Sequence, residues 1–163
     1  MFPTGLPAEC AFRAMTAADV APVTANERQC HPDPWTADLL RTSLAHNHHC
    51  RLLTEGDRIL GHGILQVGGP EAEILNLCII PAARGRGLGR CLLHHLLDRA
   101  AGAGAEEIFL EVRATNERDQ GLYTSEGFHQ VGRRRAYYSG REDGLIMARY
   151  VPGAANWPPT GMN

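Results

Sequence analysis

The chain has 163 residues, of which 44% are hydrophobic, and its formal net charge is -2 at pH 7. This length suits a single domain with a sizeable core. The slightly negative net charge excludes a general nucleic-acid binder, which needs a basic face. Arg133, Arg134 and Arg135 still allow a local basic patch. No apolar run approaches the roughly 18 residues that span a membrane. We therefore expect a protein that binds neither membranes nor nucleic acid directly.

The cysteines bear on the cellular compartment. There are five of them, an odd number, and none stands close to another in the sequence. Cys78 and Cys91 lie in apolar runs, where a buried thiol is the usual interpretation. The N-terminus has no basic stretch followed by an apolar core, which is the mark of a secretory signal. These features predict a protein of the reducing cytoplasm.

Both ends of the chain are rich in proline and glycine, which predicts a loose N-terminal extension over residues 1–11 and a disordered tail over 152–163. Between them, Thr16 precedes a short helix and Thr36 precedes a second one, each as an N-cap. The first third of the chain is therefore expected to contain two helices.

The rest of the chain alternates strands with two further helices. The segments "CRLLT", "RILGHGILQV" and "AEILNLCII" predict three strands in meander order, followed by a helix from Gly87 to Ala103 with an apolar face. The segment "EEIFLEV" predicts a strand, "ERDQGLYTSE" a helix that ends at Gly127, and "HQVGRRRAYY" and "DGLIMARYV" two last strands. This order predicts an α+β fold with a mostly antiparallel sheet.

The segment "RGRGLGRCL" at 84–92 places three glycines between a strand and a helix. Such a turn presents backbone N–H groups to an anion at the positive end of the helix dipole, which favours a phosphate. A nucleotide-hydrolysing loop would need Lys and Ser or Thr after Gly89, but Arg90 and Cys91 stand there. A dinucleotide fingerprint would need a glycine at Arg90 and a parallel sheet. From the residues alone, a tight turn into a packed helix remains an equal alternative.

The same turn resembles the Arg/Gln-x-x-Gly-x-Gly/Ala signature of the GNAT N-acetyltransferases, whose loop amides hold the pyrophosphate of acetyl-CoA. The segments "PWT", "NLCIIP", "LEVRATN", "LYTSEGF", "GRRRAYY" and "GREDGLIMARY" follow in the order and spacing of the RimI family of ribosomal-protein-alanine N-acetyltransferases. The resemblance covers roughly residues 12–150. It implies one GNAT domain over 12–151, with a mixed, mostly antiparallel sheet of about six or seven strands and about four helices.

The resemblance assigns two catalytic roles. Glu111, on the strand after the glycine-turn helix, matches the general base, and Tyr123 matches the general acid that protonates the leaving sulfur. Each has a structural alternative. Glu111 can pair with Arg113 on the same strand face, and Tyr123 can be a core residue with its hydroxyl at the surface.

The resemblance also implies how the two substrates are held. Asn116 matches a cofactor contact, with helix N-capping as its alternative role, and Trp35, Tyr137 and Tyr138 match the peptide-binding walls, with ordinary core or rim packing as the alternative. Cys78 is expected to be a small core residue and not a nucleophile, because no activating partner is placed near it in the sequence. The expected cofactor-binding residues are Leu77, Cys78, Ile79, Arg84, Gly85, Arg86, Gly87, Leu88, Gly89, Arg90 and Asn116.

The histidines of "HNHH" at 46–49 and the pair His94 and His95 raise the question of a metal site. Adjacent histidines on a helix point about 100° apart, and no cysteine or carboxylate follows at ligand spacing. We interpret these histidines instead as residues near a helix C-terminus, where the helix dipole favours the protonated imidazolium form. We therefore expect no metal.

The resemblance thus implies an acetyl-CoA-dependent enzyme that acetylates the N-terminal alanine of a ribosomal protein, the eighteenth of the small subunit, by direct transfer in a ternary complex. Two alternatives stay open. One is a GNAT enzyme that acetylates lysine side chains or a small amine, and the other is a non-catalytic acetyl-CoA-binding module. Fold-level resemblance does not identify the acceptor.

Overall fold

The computed structural model describes residues 5–138 and 140–151, and this part of the chain contains four α-helices and one seven-stranded sheet. The helices are α1 (Val20–Cys30), α2 (Ala37–Ala45), α3 (Leu88–Gly102) and α4 (Glu117–Ser125), and the strands are β1 (Cys10–Ala14), β2 (His49–Glu55), β3 (Arg58–Gly68), β4 (Glu71–Ile79), β5 (Glu107–Arg113), β6 (His129–Tyr138) and β7 (Glu142–Tyr150). The sheet order is β1-β2-β3-β4-β5-β7-β6, and only the β4–β5 pair is parallel. The predicted α+β fold is confirmed.

One cluster of the core lies between the sheet and α3, and another packs against α1 and α2. Strand β5 alternates buried and half-buried residues, and Ile108, Leu110 and Val112 all face the core, as the period of two predicts. They pack with fully buried leucines of α3, such as Leu93 and Leu96. This packing fixes the direction of the opposite face of β5, which carries Glu111.

Strand β1 was not predicted. It pairs antiparallel with β2 at the edge of the sheet, and it begins at Cys10, inside the segment over 1–11 that was expected to be loose. Cys10 is buried and Leu6 packs against the same cluster. The reason for the miss is that β1 buries only its first residue, so the segment shows no alternation. The tail over 152–163 lies outside the described residues.

The helices of the first third are both present. Thr16 precedes a 3-10 turn at Ala17–Asp19, which leads into an α1 that is longer than the short helix expected. The Thr36 side chain accepts a hydrogen bond from the Leu39 amide at 3.2 Å, so this residue is the predicted N-cap of α2. In the described part of the chain, no helix is long and apolar enough to cross a membrane.

The sheet opens between its two parallel strands. Pairing runs from Glu71 with Glu107 to Ile74 with Leu110 and then stops, although β4 continues to Ile79 and β5 to Arg113. The remaining residues of β4 therefore face a gap on one edge.

A disulfide joins the end of α1 to β4. It links Cys30 and Cys78, which are 48 residues apart in the sequence. Cys10, Cys50 and Cys91 are free and buried. The expectation of unpaired cysteines is therefore wrong for Cys30 and Cys78, because the fold brings together two residues that the sequence separates.

Candidate active site

The glycine turn before α3 has the backbone of an anion site. Gly85 and Gly87 have φ values of 82° and 76°, and Gly87 is the N-cap of α3. These are left-handed conformations that a residue with a Cβ adopts at a cost. Within the described chain, none of the amides from Gly85 to Arg90 donates to a backbone carbonyl. Several N–H groups are thus left for a ligand at the helix N-terminus.

A groove runs from this turn along β4. Every residue expected to bind the cofactor lines it, with the exception of Arg86. Leu77, Cys78 and Ile79 supply the β4 wall, at the stretch that has lost its pairing with β5. A free strand edge and a free set of helix amides are what an extended amide-containing chain ending in a pyrophosphate requires. The groove therefore fits acetyl-CoA.

The three arginines of the turn have protein partners. Arg86 pairs with Glu55 at 2.8 Å, and Arg90 pairs with Glu126. The Arg84 side chain donates to the Ile79 carbonyl at 3.1 Å. Because Arg86 and Arg90 are already neutralised by carboxylates, the main positive field of the turn comes from its amides and the helix dipole.

A second cavity adjoins the groove on the β5 side. Glu111, Tyr123, Trp35 and Asn116 all line it. The residues that line both the groove and this second cavity are Cys30, His31, Leu77, Asn116 and Asp119. We call the second space the acceptor cavity. The groove and the acceptor cavity therefore adjoin each other beside the gap between β4 and β5.

Glu111 lies directly after Leu110, the last residue of β5 that pairs with β4. Its Oε1 forms a salt bridge with Arg134 Nε at 2.8 Å, and its Oε2 is buried without a hydrogen-bond partner in the described chain. Burial raises the pKa of the Glu111 carboxyl, and nearby Glu73 adds to this, while Arg134 opposes it. The alternative pairing with Arg113 is wrong, because that arginine binds Glu142 and Asp33 instead. One carboxylate oxygen is therefore available to an incoming proton.

Tyr123 belongs to both the core and the cavity. It is 5% exposed, and its ring packs against Phe128 with the centroids 5.7 Å apart. It also lines the acceptor cavity from α4. Core packing and a place at the site are therefore compatible, since the ring supplies the first and the position on α4 the second.

Asn116 holds the N-terminus of α4. Its side chain accepts from the Asp119 amide at 3.1 Å and donates to the Asp119 carboxylate at 2.9 Å. The N-capping role is therefore present, and the residue still lines both cavities. A ligand contact at Asn116 would act on the same helix that carries Tyr123.

The predicted aromatic walls differ in their positions. Trp35 lines the acceptor cavity, and its amide donates to the Glu27 carboxylate at 3.3 Å. Tyr137 does not line it: the ring is 51% exposed and lies 5.1 Å from the Arg134 guanidinium. Tyr138 ends β6, and its side chain lies outside the described part of the structure. Trp35 is therefore placed at the cavity, and Tyr137 is not.

A buried polar network behind the cavity escaped the sequence analysis. The fully buried Glu27 carboxylate accepts from His62 Nε2 at 2.9 Å and from the Asn76 amide group. Asn76 Oδ1 in turn accepts from His31 Nε2 at 3.1 Å. The burial of Glu27 could have been predicted, because Val20, Val23 and Glu27 recur at helical spacing and share the buried face of α1.

Opposing effects act on the Glu27 carboxyl. Burial raises its pKa, but the hydrogen bond from His62 and the electrostatic interactions with His62 and His31 outweigh this effect, so the pKa is lowered. A carboxylate inside the fold therefore stays ionised. It holds His31 through Asn76, and it holds the loop after α1 through the Trp35 amide.

His48, His49 and His95 do not form the imidazolium cluster expected from the sequence. Burial lowers the pKa of His48 and His49, and burial together with Arg51 lowers the pKa of His95 to about 4. The expectation is wrong because nearby arginines and desolvation outweigh the helix C-terminus. In the part of the chain that the structure describes, no group of three or more potential ligands is arranged to hold a metal ion.

Comparisons with known proteins agree with this geometry. The model of the acetyltransferase (GNAT) family matches residues 19–128. The ribosomal protein bS18-alanine N-acetyltransferase of Escherichia coli strain K12 is 36% identical over 125 residues, which are 75% of this chain and 84% of that protein. The enzyme of the same name from Salmonella typhimurium is 38% identical over 125 residues, with 75% and 84% covered.

A solved structure is similar over nearly the whole fold. It is the crystal structure of the ribosomal-protein-S18-alanine N-acetyltransferase from Escherichia coli, with a TM-score of 0.82 and 32% identity over 87% of this chain and 94% of that one. The gap between β4 and β5, the glycine turn and the sequence identity all point to the same family. This chain belongs to the GNAT acetyltransferase family and, within it, to the RimI group of N-acetyltransferases.

Proposed function

We propose that this enzyme transfers an acetyl group from acetyl-CoA to the N-terminal alanine of ribosomal protein bS18, the eighteenth protein of the small subunit, in the cytoplasm. The observation that carries the proposal is the position of Glu111 at the point where β4 and β5 part, on the wall of the acceptor cavity and beside the cofactor groove. The activity named for the relatives from Escherichia coli and Salmonella typhimurium supports the choice of acceptor.

The cofactor half of the site binds through main-chain groups. The amides of the glycine turn hold the pyrophosphate at the N-terminus of α3, and the free edge of β4 at Leu77, Cys78 and Ile79 pairs with the pantetheine arm. When bound, acetyl-CoA supplies the thioester that the acceptor amine attacks. Asn116 and Leu77 lie where the two cavities meet, and they align the two reactants.

Proton transfer falls to two side chains. An N-terminal amine has a pKa of about 7.7 to 8.0, so a base of raised pKa frees its lone pair readily near neutral pH. Glu111 accepts this proton at Oε2, directly or through one water. The C–N bond then forms while the C–S bond breaks, and the Tyr123 hydroxyl donates a proton to the departing sulfur. Transfer is direct, and Cys78 is not a nucleophile because its sulfur is bonded to Cys30.

The acceptor is tested with a peptide that carries the bS18 N-terminus, incubated with the enzyme and acetyl-CoA and analysed by mass spectrometry. A second peptide with a blocked α-amine is the control. Acetylation of the free peptide alone is the expected result. Acetylation of internal lysines in the blocked peptide would identify a lysine acetyltransferase instead. Acetyl-CoA binding without acetylation of either peptide would leave the cofactor site standing and contradict the choice of acceptor.

The base is tested by Glu111→Gln. We expect kcat to fall by about 10²- to 10⁴-fold with little change in acetyl-CoA affinity, because the variant keeps the shape but loses the proton acceptor. Glu71→Gln is the matched control, since Glu71 is exposed on the neighbouring strand and does not line the acceptor cavity. In the parent enzyme, kcat/KM falls as the pH drops through the raised pKa of Glu111. If Glu111→Gln keeps this acidic limb, another group is the base.

A further inference from the structure

A third cavity, which is lined by basic side chains, lies away from the groove and the acceptor cavity. It is about 210 Å³ in volume and is bounded by the turn after α2, by β2 and by α3. Asn47, His48, His49, Arg51 and Arg99 line it, and its lining contains no carboxylate. We call it the basic pocket. Arg99 lies eleven residues along α3 from Leu88, about 16 Å from the glycine turn at a rise of 1.5 Å per residue.

The two arginines of the basic pocket are held by histidines and not by acids. Arg51 Nε donates to His95 Nε2 at 3.0 Å, and Arg99 Nε donates to His49 Nδ1 at 3.0 Å. An arginine only donates hydrogen bonds, so each accepting ring nitrogen carries no proton. Both rings are therefore neutral, which agrees with their lowered pKa values. His49 then keeps its proton on Nε2 as a further donor.

The positive charge of the basic pocket is not balanced by the protein. Across residues 5–138 and 140–151, no carboxylate forms an ion pair with Arg51 or Arg99, and their terminal guanidinium nitrogens have no hydrogen-bond partner there. The two side chains are half-buried, and burial together with the charge of Arg99 lowers the pKa of Arg51. Two half-buried cations kept side by side are stabilised by an anion between them.

The geometry points to the basic pocket as a binding site for a phosphate monoester in its dianionic form. Two guanidinium forks on one small cavity match a tetrahedral oxyanion, and the His49 N–H adds a third donor. A monoester phosphate carries close to two negative charges at pH 7, because its second pKa is about 6, and these balance the two arginines. A phosphodiester carries one charge and leaves one arginine unbalanced.

The test is a titration of the full-length enzyme with glycerol 3-phosphate, followed by the imidazole NMR signals of its histidines. The titration is run with saturating CoA so that the glycine turn is occupied. We expect a saturable shift of the His49 and His95 signals. Arg51→Gln and Arg99→Gln each weaken the affinity about tenfold, because each removes one charge-assisted fork. Arg58→Gln removes one exposed arginine at the start of β3 and leaves the affinity unchanged.

Three outcomes would overturn the proposal. One is the absence of a saturable shift in the parent enzyme, which decides the matter even if a glutamine variant does not fold. Another is equal affinity in the two arginine variants and the parent. The last is tighter binding of a short RNA that has hydroxyls at both ends and so carries only diesters, with loss in Arg51→Gln, which would identify an RNA backbone site. Circular dichroism of each variant confirms that it is folded.

Discussion

The cofactor groove and the acceptor cavity share a wall at Leu77 and Asn116, yet they are built in different ways. Most of the groove comes from one continuous stretch, from Leu77 to Arg90, which presents unpaired main-chain atoms at a strand edge and a helix N-terminus. The acceptor cavity collects side chains from α1, the loop after it, β4, β5 and α4. A binding surface formed by the backbone of one continuous segment can be predicted from a local sequence motif. A surface formed by side chains that are distant in the sequence can be identified only once the fold is known.

The two halves are also stabilised differently. The groove depends on the positive φ values of Gly85 and Gly87, which are local. The acceptor side depends on the buried Glu27 network and on the pairing of Arg113 with Asp33 and Glu142, which joins the loop after α1 to β5 and β7. A change that affects one half should therefore leave the other largely intact. Three measurements test this separation, in order of decreasing effect.

The largest effect is expected for Glu27→Ala. The change leaves His62, Asn76 and the Trp35 amide without their acceptor, so we expect the free energy of unfolding to fall by about 3–5 kcal/mol in urea titrations. Glu71→Ala, at an exposed position of β4, is the control and should change stability by less than about 0.5 kcal/mol. In the milder variant Glu27→Gln, the acceptor KM should rise while acetyl-CoA affinity is kept.

The same carboxylate gives a pH dependence. The pKa of Glu27 is lower in the folded than in the unfolded chain, so its stabilisation is present above the unfolded value of about 4.3 and is lost as the pH falls through the folded value. The acid limb of the unfolding free energy should therefore be less steep in Glu27→Gln. An equal loss of acetyl-CoA and acceptor binding in that variant would show that the two halves are not separate.

The disulfide is the covalent link between the halves, and its loss is the second test. Cys30→Ser, Cys78→Ser or a reducing agent should each lower the free energy of unfolding by about 2–4 kcal/mol, because the unfolded chain loses a cross-link across 48 residues. The double variant Cys30→Ser/Cys78→Ser is the control, since reducing agent should not change it. Alkylation of the denatured, unreduced protein should modify Cys10, Cys50 and Cys91 only. Modification of all five cysteines would contradict the link.

The smallest effect is expected for Gly87→Ala. A Cβ at φ 76° costs about 1–2 kcal/mol, and relief of this strain turns the amides away from the ligand. Acetyl-CoA affinity should fall about tenfold by calorimetry, with the acceptor KM unchanged. Gly89→Ala is the stability control, because its φ is not positive and a Cβ there meets Ile79 and Leu122 at an ordinary 3.8 Å. A rise in the acceptor KM of Gly87→Ala would break the separation.

The contrast between the halves also explains what could be predicted from the sequence. Six of the seven strands and all four helices followed from apolar periodicity and caps, because those signals are local. The glycine turn could be predicted for the same reason, since its glycines lie close together in one short segment. Glu111 and Tyr123 came from the resemblance, and their roles remain predictions. The face of Glu111 followed from the alternation of Ile108, Leu110 and Val112.

The remaining features arise from long-range contacts that no local pattern records. Arg134 reaches Glu111 only because β6 lies beyond β7 in the sheet, and Cys30 reaches Cys78 only because α1 ends over β4. The neutral histidines follow from two arginines that are 48 residues apart, Arg51 and Arg99. The edge strand β1 was missed because it buries a single residue. In each case, the structure of the segment depends on a residue or strand that is distant from it in the sequence.

The parting of β4 from β5 has an evolutionary consequence. A strand that recognises its ligand through main-chain atoms leaves its side chains free to diverge, provided that the backbone keeps its path. Within 75–79 this freedom is limited by packing. Asn76 must keep its place in the Glu27 network, and Leu77 and Ile79 must stay apolar because they pack with the core. The bond between Cys78 and Cys30 leaves the backbone edge of Cys78 in the gap. Exchanges between apolar side chains at Leu77 and Ile79 should therefore be tolerated better than replacement of the glycines that follow them.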